Sequence, residues 1–312
     1  HSRKVLFKRS PSQLMLDAAV DRGKAEGRPV RIWSPKSRRV WATARVVKRG
    51  YQFITRSENR NGLMLAHDDP STIDIFRNYV FTHRNDPLAP RTERASKYEL
   101  VFKDINAQLR CRTAGAARAG DIARGSGLHF LQLDEAASYP VDPRKLVTSL
   151  LATVPPHPVE TEVFMLSTGK GMNNYFYEEV LKCMKGGSSD WTLVFLPWHV
   201  RLDATREFGT GACQCVEDAF AKSLDERESI LRAEFALSHQ QLHWFRHVLL
   251  DEIKGGSAEA RLRLLKQEYP SSVMECFQTT GSSAFDVERI DTIAPKCKPA
   301  PFMGDIEAPR DL

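Results

Sequence analysis

An apolar run that ends in two acidic residues is the feature that most constrains the fold of this chain. Residues 128–133 are Leu-His-Phe-Leu-Gln-Leu, and Asp134 and Glu135 follow them directly. A short, mostly apolar run of this kind is typical of a strand buried inside a sheet. We therefore predict a buried strand whose carboxyl end carries two neighbouring carboxylates. The alternative is an ordinary strand that ends in a solvated acidic turn.

The order of the other elements predicts the class of the sheet. Several more apolar-rich runs predict strands, and two segments between them predict helices. The predicted strands are 29–33, 62–66, 98–102, 107–111, 162–166 and 191–196, and the predicted helices are 43–55 and 71–81. Strands that alternate with helices form a mostly parallel sheet with helices on both faces. The sequence therefore predicts an α/β fold with a mostly parallel central sheet.

The character of the sequence changes after residue 224. Three segments there have the apolar spacing of amphipathic helices. These helices are predicted at 225–235, 238–253 and 258–269. A proline-rich, basic stretch at 294–301 has the composition of a linker. We predict a core domain over 1–224, a small helical subdomain over 225–293, and a linker over 294–312.

Composition limits the partners and the environment. The chain has 312 residues, 42% hydrophobic and 27% charged, which is enough for one large domain and a smaller one. Its 45 Lys and Arg against 39 Asp and Glu give a formal charge of +6. This excess permits a polyanionic partner without requiring one. No stretch approaches the roughly 18 apolar residues of a membrane helix, so no membrane association is predicted. The six cysteines are scattered and are predicted to be free thiols.

The acidic pair indicates nucleotide chemistry. An apolar strand that delivers Asp and then Glu at its carboxyl end has the pattern of a Walker B motif, and ligands of open α/β sheets bind at that end. Asp134 would reach a Mg²⁺ ion that bridges the β- and γ-phosphates. Glu135 would orient or deprotonate the attacking water. The predicted cofactors are therefore ATP and Mg²⁺.

A basic loop between the strand at 29–33 and the helix at 43–55 is the candidate phosphate-binding loop. It comprises Lys36, Ser37, Arg38, Arg39, Val40, Trp41, Ala42 and Thr43. Its cations would bind phosphate, the hydroxyl of Thr43 would bind Mg²⁺, and N–H groups at the helix start would complete the anion site. The sequence has no G-x-x-x-x-G-K-[ST] motif, because Trp41 replaces the glycine and Ala42 replaces the lysine. The alternative is a basic surface turn.

A third segment, Ser167, Thr168 and Gly169, follows the predicted strand at 162–166. Motor ATPases place the sensor that reads the γ-phosphate at such a strand tip, so these residues are the candidate coupling motif. The alternative is a glycine-containing loop that leads into a helix.

Together these segments resemble the large terminase subunit of tailed bacteriophages, the ATPase that pumps DNA into the procapsid. The resemblance extends from about Gln13 to Asp286, nearly the whole chain. Besides the three segments above, it rests on residues 124–125, 195–198 and 267–270. It implies a RecA-like P-loop ATPase of the ASCE class, with a small helical lid after the core.

The resemblance also implies roles for single residues. In this family the phosphate-binding lysine can lie at the front of the loop, which makes Lys36 the phosphate lysine and Thr43 the magnesium hydroxyl. Gln13 becomes the reader of adenine, since an amide pairs with both a donor and an acceptor of the base. Arg124 becomes the candidate arginine finger, acting from a neighbouring subunit. The alternatives are an exposed glutamine at a helix start and a basic loop that faces DNA or solvent.

The implied activity is ATP hydrolysis that translocates double-stranded DNA of any sequence into a procapsid. The implied partners are duplex DNA, the portal protein, the small terminase subunit, and further copies of a chain that is monomeric in isolation and forms a pentameric ring on the procapsid. The implied location is the host cell cytoplasm, transiently at the portal. In the family a nuclease domain follows the linker, whereas this sequence stops at Leu312, so no nuclease activity is expected from it.

Two alternatives remain open. One is a helicase-like or other nucleic-acid translocase, which would carry a second RecA-like domain, and the helical segment after residue 225 is small for that. The other is a degenerate ATPase fold that serves as a DNA-binding or assembly module. The glycine-poor loop favours this second alternative, and the intact Asp134–Glu135 pair argues against it.

Overall fold

The computed structural model describes residues 8–115, 127–140, 142–187, 190–209, 211 and 213–278. Within these stretches helices and strands alternate as far as the helix Asp69–Arg84. Four strands come next with no described helix between them, alternation resumes as far as Leu193, and helical elements follow. None of the described helices is both long enough and apolar enough to cross a membrane.

The elements have the following bounds. The strands are β1 (Val30–Pro35), β2 (Asn61–Ala66), β3 (Arg94–Ala95), β4 (Glu99–Phe102), β5 (Ala107–Thr113), β6 (Phe130–Asp134), β7 (Glu162–Ser167) and β8 (Thr192–Leu193). The α-helices are α1 (Pro11–Ala25), α2 (Ala42–Thr55), α3 (Asp69–Arg84), α4 (Pro143–Leu151), α5 (Tyr175–Met184), α6 (Gln214–Lys222), α7 (Glu226–Phe235), α8 (His239–His247) and α9 (Ala258–Glu268). Single turns of 3₁₀-helix lie at Ala136–Ser138, Trp198–Val200 and Met274–Phe277, and a π-helical turn lies at Val248–Glu252.

Short polar side chains start several of these helices. The carboxylate of Asp68 accepts the N–H of Ser71 at 2.8 Å before α3, and Asn174 accepts the N–H of Tyr177 at 3.0 Å before α5. Such caps satisfy N–H groups that have no partner inside the helix. Ser238 caps α8 in the same way, at the position where the sequence predicts a helix start.

The sheet in the described residues has eight strands, in the order β3-β4-β5-β2-β6-β7-β1-β8. Every neighbouring pair from β5 to β8 is parallel, while β3, β4 and β5 pair antiparallel. The predicted mostly parallel central sheet is therefore confirmed. Strand β7 lies between β6 and β1, so three strands bring their carboxyl ends to one edge of the sheet.

Two predicted elements differ in detail. The predicted strand at 191–196 is regular only in β8, although the N–H groups of Val194 and Leu196 continue to bond β1, at 2.9 and 3.0 Å. The predicted helix at 238–253 is α-helical only as far as His247, and the π-helical turn completes it. A π turn inserts one residue into a helix, which changes the face that the last turn presents.

Apolar side chains pack on both faces of the sheet. One face packs against α1, α2 and α3 and includes Phe130, and the opposite face packs against α4 and α5 and includes Leu131 and Leu133. A third apolar cluster joins Trp198 to helices α7, α8 and α9. Because side chains alternate along a strand, Gln132 and Asp134 share the face of Phe130.

The prediction that all six cysteines are free thiols is wrong for one pair. Cys213 and Cys215 are joined by a disulfide, while Cys111, Cys183 and Cys276 are free. Two residues separated by a single position bring their side chains together locally at the start of α6, which a prediction based on scattered spacing did not anticipate.

Helix α2 approaches the sheet closely at Gly50, so a larger side chain at this position should lower the stability of the protein. A Cβ at residue 50 would overlap the buried ring of Phe130. We expect Gly50→Ala to lower the free energy of unfolding by about 1–3 kcal/mol, since overpacking outweighs the better helix propensity of alanine. Urea unfolding measures this change.

Gly23 of α1 is the matched control, because a Cβ there would meet Val30 at an ordinary contact distance of 3.7 Å. Gly23→Ala should leave the protein as stable as the wild type or up to about 1 kcal/mol more stable. Equal effects of the two substitutions would contradict the packing described for α2.

Candidate active site

The predicted acidic pair lies at the carboxyl end of β6. Asp134 is the last residue of the strand and is 2% exposed. Glu135 follows with φ 52° and ψ 44°, in the left-handed region that non-glycine residues rarely adopt. This turn directs the Glu135 side chain across the sheet edge towards the loop after β1. A residue held in such a conformation is often part of a functional site.

Lys36 is the first residue after β1 and makes the central contact of the site. Its Nζ donates to Oε1 of Glu135 at 2.7 Å, and its side chain is 9% exposed. Its main-chain N–H donates to the carbonyl of Ser167 at 3.0 Å. The ends of β1, β6 and β7 are therefore joined through one lysine.

The ionisation of these groups follows from burial and from each other. Burial disfavours the charge on Lys36, but Glu135 and Asp134 outweigh it and raise the pKa of Lys36. Burial also disfavours the charge on Glu135, and here Lys36 prevails and holds the pKa of Glu135 below its usual value. For Asp134 burial dominates, and its pKa is raised despite Lys36. The ion pair Lys36–Glu135 is thus formed at neutral pH.

The predicted coupling motif contacts the other oxygen of Glu135. Oε2 accepts from the N–H of Thr168 at 3.1 Å, from the Thr168 hydroxyl at 3.0 Å, and from Ser167 Oγ at 3.3 Å. Gly169 accepts a hydrogen bond from Gln267 at 2.9 Å. A Cβ at Gly169 would overlap the carbonyl oxygen of Cys276, so this position requires glycine. The three residues thus connect Glu135 to the segment after α9.

Asp134 has its own set of hydrogen bonds. The hydroxyl of Thr43, in the first turn of α2, stabilises the charged form of the Asp134 carboxylate and so acts to lower its pKa. Gln132 donates from Nε2 to Oδ2 of Asp134 at 3.1 Å, and Tyr79 donates from its hydroxyl to Gln132 Oε1 at 3.0 Å. Thr43 and Asp134, which the sequence predicts as metal ligands, therefore interact.

The residues between Lys36 and α2 form a loop that follows the predicted range. Ser37 is fully buried and donates its N–H to Leu196 at 2.8 Å, and Arg38 donates its N–H to the carbonyl of Glu268 at 3.0 Å. The guanidinium of Arg38 pairs with the Glu268 carboxylate. Arg39 is exposed. Among the predicted phosphate-binding cations, only Lys36 faces the acidic pair directly.

The loop turns without glycine. Arg39 and Trp41 have φ of 56° and 59°, so both occupy the left-handed region. This conformation costs an L-residue about 1–2 kcal/mol. Trp41 stands immediately before α2 with its ring 61% exposed, and Ala42 opens the helix with its side chain buried. The glycine that the usual motif requires is replaced by residues that adopt its conformation.

Helix α1 holds this loop from the outside. Ser12 donates to the carbonyl of Val40 at 2.6 Å, and Gln13 donates from Nε2 to the carbonyl of Trp41 at 3.2 Å. Gln13 Oε1 accepts the N–H of Ser10 at 3.1 Å, as a helix capping box. Gln13 is 3% exposed, and it lines a cavity of about 420 Å³ together with Trp41. It is therefore not the exposed helix-start residue that the sequence left as an alternative.

The structure brings most of the predicted residues to one sheet edge. Lys36, Thr43, Asp134, Glu135, Ser167 and Thr168 make direct contacts there. Arg124 lies outside the described residues. Three residues that sequence reasoning did not single out, Gln132, Tyr79 and Glu268, also contact the site. Gln132 could have been recognised from the sequence, because it is a polar residue inside an apolar run.

The oxygen donors at this edge fit Mg²⁺. A carboxylate and a hydroxyl, from Asp134 and Thr43, are hard ligands, and Mg²⁺ is usually bound by one or two carboxylates together with substrate phosphates and water. Among the described residues no three His, Cys, Asp or Glu side chains come together as a ready-made metal cage. A metal here would therefore depend on the phosphates of a bound nucleotide.

The fold matches solved structures of bacteriophage large terminases. The ATPase domain of the Thermus phage P74-26 large terminase matches with a TM-score of 0.51 and 18% identity, over 84% of this chain and 93% of that one. The chain has the fold of a large terminase ATPase domain. The HK97 bacteriophage large terminase matches with a TM-score of 0.54 and 15% identity, over 89% of this chain. The large terminase from a thermophilic bacteriophage matches with a TM-score of 0.51 and 13% identity, over 70% of this chain.

This terminase-like chain spans about half the length of two of these proteins, 50% for the HK97 enzyme and 51% for that of the thermophilic bacteriophage. No family model matches the sequence, and no curated protein matches it. The predicted fold, that of a terminase ATPase domain, is confirmed by the structural likeness, which covers 84% of this chain for the P74-26 domain and 89% for the HK97 protein.

In the terminase-like site, Lys36→Met should make the stability of the protein depend more strongly on pH. Without Lys36, two neighbouring carboxyls lose their counter-charge, so the pKa of Asp134 rises further. A carboxyl whose pKa is higher in the folded than in the unfolded state binds more protons when folded, and stability then falls as pH rises. The variant should therefore lose more stability than the wild type between pH 5 and pH 8.

Urea unfolding at the two pH values measures this loss. The double variant Lys36→Met/Glu135→Gln is the control, because it removes one charge of each sign and should lose less stability over the same interval. Parallel stability–pH curves for wild type and Lys36→Met would contradict the ion pair.

Proposed function

We propose that this chain is the ATPase motor domain of a viral large terminase, which hydrolyses ATP to translocate double-stranded DNA into a procapsid. The observation that carries the proposal is the contact of Lys36 with Glu135, which in turn contacts Thr168. It joins the basic loop, the acidic pair and the coupling motif at one sheet edge. The fold of terminase ATPase domains supports the same function.

The phosphates of ATP bind the loop at the start of α2. Lys36 and the N–H groups of the first helical turn face them, and Arg38 exchanges Glu268 for phosphate. Thr43 and Asp134 hold Mg²⁺. When bound there, a Mg²⁺ ion would supply positive charge that offsets the charge of the phosphates. The lysine, the arginine and the threonine lie in the loop or at the start of α2, and the aspartate is the last residue of β6.

Glu135 is the base for the attacking water. Its pKa is held low, mainly because Lys36 outweighs the effect of burial, so it is a carboxylate at neutral pH, and withdrawal of Lys36 would raise its proton affinity. Without nucleotide, the two oxygens of the Glu135 carboxylate accept hydrogen bonds from Lys36 and Thr168. A γ-phosphate competes for Lys36, which frees Oε1 of Glu135 for water. Nucleotide binding thus converts a paired carboxylate into a base.

Ser167, Thr168 and Gly169 couple this step to movement. Thr168 bonds Glu135, and Gly169 bonds Gln267 beside the end of α9. A change at Glu135 therefore reaches the helical subdomain through three consecutive residues. The subdomain proposed over 225–293 acts as the lid in this scheme, and the linker proposed over 294–312 follows it.

The adenine base binds in the cavity beside Gln13. The cavity volume of about 420 Å³ is in the range of small-molecule sites. The two hydrogen bonds of Gln13 use one amide hydrogen and one oxygen lone pair. One hydrogen and one lone pair remain, which is the pair that adenine needs. The capping bonds hold the amide in place for this reading.

Gln13→Ala tests the reading of adenine. If Gln13 reads the base, the variant should raise the KM for ATP by about tenfold, as one lost hydrogen-bonded pair implies, and leave the KM for GTP unchanged. Steady-state hydrolysis of both nucleotides measures the two values. Equal increases in KM for ATP and GTP would mean that Gln13 only anchors Trp41. Ser12→Ala removes the neighbouring hydrogen bond to Val40, so it shows how far the loss of a loop anchor alone changes the two KM values.

The partners proposed are those of a packaging motor. Duplex DNA binds through its phosphates, because a motor must accept any sequence. The portal protein, the small terminase subunit and a pentameric ring of this chain complete the assembly, with Arg124 as the finger supplied to a neighbouring subunit. The proposed setting is the host cell cytoplasm, with transient docking at the procapsid portal.

Hydrolysis is tested with Glu135→Gln and Lys36→Ala. Removal of the base should lower kcat by about 10²–10⁴-fold while ATP still binds. Removal of the lysine should weaken ATP binding by roughly 10–100-fold, the value of a hydrogen bond to a charged group. Phosphate release measured with and without duplex DNA gives kcat and KM, and equilibrium titration gives the affinity.

Glu58→Gln, an exposed carboxylate after α2, is the matched control and should behave as wild type. Duplex DNA of unrelated sequences should stimulate hydrolysis equally, and more weakly as salt rises. Stronger stimulation by single-stranded DNA would favour the helicase-like alternative. A wild-type chain that binds ATP in neither condition would favour the degenerate assembly module.

A further inference from the structure

A buried polar side chain interrupts the apolar interior beside the acidic pair. Gln132 lies in the middle of β6, between Leu131 and Leu133, and is fully buried. A buried amide costs free energy unless its donor and acceptor are both bonded. An apolar residue would pack this strand without that requirement, so the partners of Gln132 are the informative feature.

Both polar groups of the Gln132 amide are bonded. Gln132 Nε2 donates to Asp134 Oδ2 at 3.1 Å, and the hydroxyl of Tyr79 donates to Gln132 Oε1 at 3.0 Å. Tyr79 belongs to α3 and is also fully buried. When Asp134 is ionised, its carboxylate only accepts hydrogen bonds, so the NH₂ group then faces Asp134 and the carbonyl faces Tyr79. The chain of hydrogen bonds therefore has one direction, from Tyr79 to Asp134.

The geometry of a strand explains why this chain of hydrogen bonds reaches the site. Residues two apart point to the same face of a strand, so Gln132 extends alongside Asp134 under α3. Tyr79 of α3 holds the Gln132 amide, and the amide in turn holds Oδ2 of Asp134. The Asp134 carboxylate is thus held from α3 through Gln132, which restricts rotation about its side-chain bonds.

We propose that Gln132 and Tyr79 are positioning residues that fix the orientation of the Asp134 carboxylate for the Mg²⁺ ion that accompanies the nucleotide. The inference rests on the proposed function, since it assumes that Asp134 is the metal ligand. Groups that orient a metal ligand contribute substantially to metal affinity, and their loss typically costs about 10–100-fold. The two residues act through Asp134 and contact neither nucleotide nor metal.

The test separates binding of the metal from binding of the nucleotide. ADP affinity is measured by calorimetry on the full chain, first in EDTA and then across a Mg²⁺ titration, together with thermal unfolding of each variant. In Gln132→Leu the Mg²⁺ concentration for half-maximal enhancement of ADP binding should rise about tenfold or more. The affinity for ADP in EDTA should stay within about twofold of wild type, since the two residues act on Asp134 and not on the phosphate loop.

Tyr79→Phe removes a single hydroxyl and keeps the ring in the core, so it gives an answer even if Gln132→Leu fails to fold. It should shift the Mg²⁺ dependence in the same direction by a smaller factor. Tyr51→Phe is the matched control, because Tyr51 is an equally buried tyrosine whose hydroxyl donates to Asp86 at 3.0 Å, remote from the sheet edge. It should lower thermal stability and leave the Mg²⁺ dependence as in wild type.

Each outcome decides the proposal. An unchanged Mg²⁺ dependence in Tyr79→Phe and in folded Gln132→Leu overturns the positioning role and leaves the proposed function intact. A shift in Tyr51→Phe as large as that in Tyr79→Phe also overturns it, because the effect would then follow stability alone. A wild-type chain that binds no ADP, with or without Mg²⁺, overturns the proposed function and the positioning role together.

Discussion

The contact between Lys36 and Glu135 is the interaction on which the rest of the site depends. The two residues are 99 positions apart in the chain and meet at 2.7 Å in a place where solvent is largely excluded. Removing charges from water is costly, and a buried ion pair often stabilises a fold no better than packed apolar residues. The remaining oxygen of Glu135 is therefore bonded by Thr168 and Ser167, which lowers the cost of burial. The pair ties the ends of three strands together, and this arrangement is the basis of the proposal that a phosphate binds here.

The loop that carries Lys36 solves a backbone problem in an unusual way. Two L-residues, Arg39 and Trp41, take conformations that glycine adopts freely. That strain persists only where surrounding contacts determine the conformation. Ser12 and Gln13 of α1 hold one side of the loop, and Glu268 at the end of α9 holds the other. The loop is thus shaped by elements that lie far from it in the sequence.

Contacts from distant elements give the loop its shape, and contacts of this kind could not be predicted from the sequence. The strands around Asp134 and after residue 162 were predicted because a buried parallel strand is a short apolar run, and their bounds agree within about two residues. The acidic pair, Thr43 and the coupling motif were predicted because each follows a strand or begins a helix. Helix α1 was missed, although Ser10 and Pro11 are a start signal, because its apolar positions do not form a clear stripe. Contacts such as that of Tyr79 with Gln132 depend on the order of strands and the packing of helices, which no periodicity encodes.

The segment from Gln267 to Cys276 contacts both loops at the sheet edge. Gln267 bonds Gly169, Glu268 accepts from Ser37 and Arg38, and Cys276 packs against Gly169 so closely that no side chain fits between them. The phosphate loop and the coupling motif therefore meet the same short stretch of backbone. Close-packed interiors do not deform continuously but shift between discrete arrangements. A phosphate that withdraws Arg38 from Glu268 and Lys36 from Glu135 would act on both loops at once, so the helices after the sheet need no separate sensor to register the state of the site.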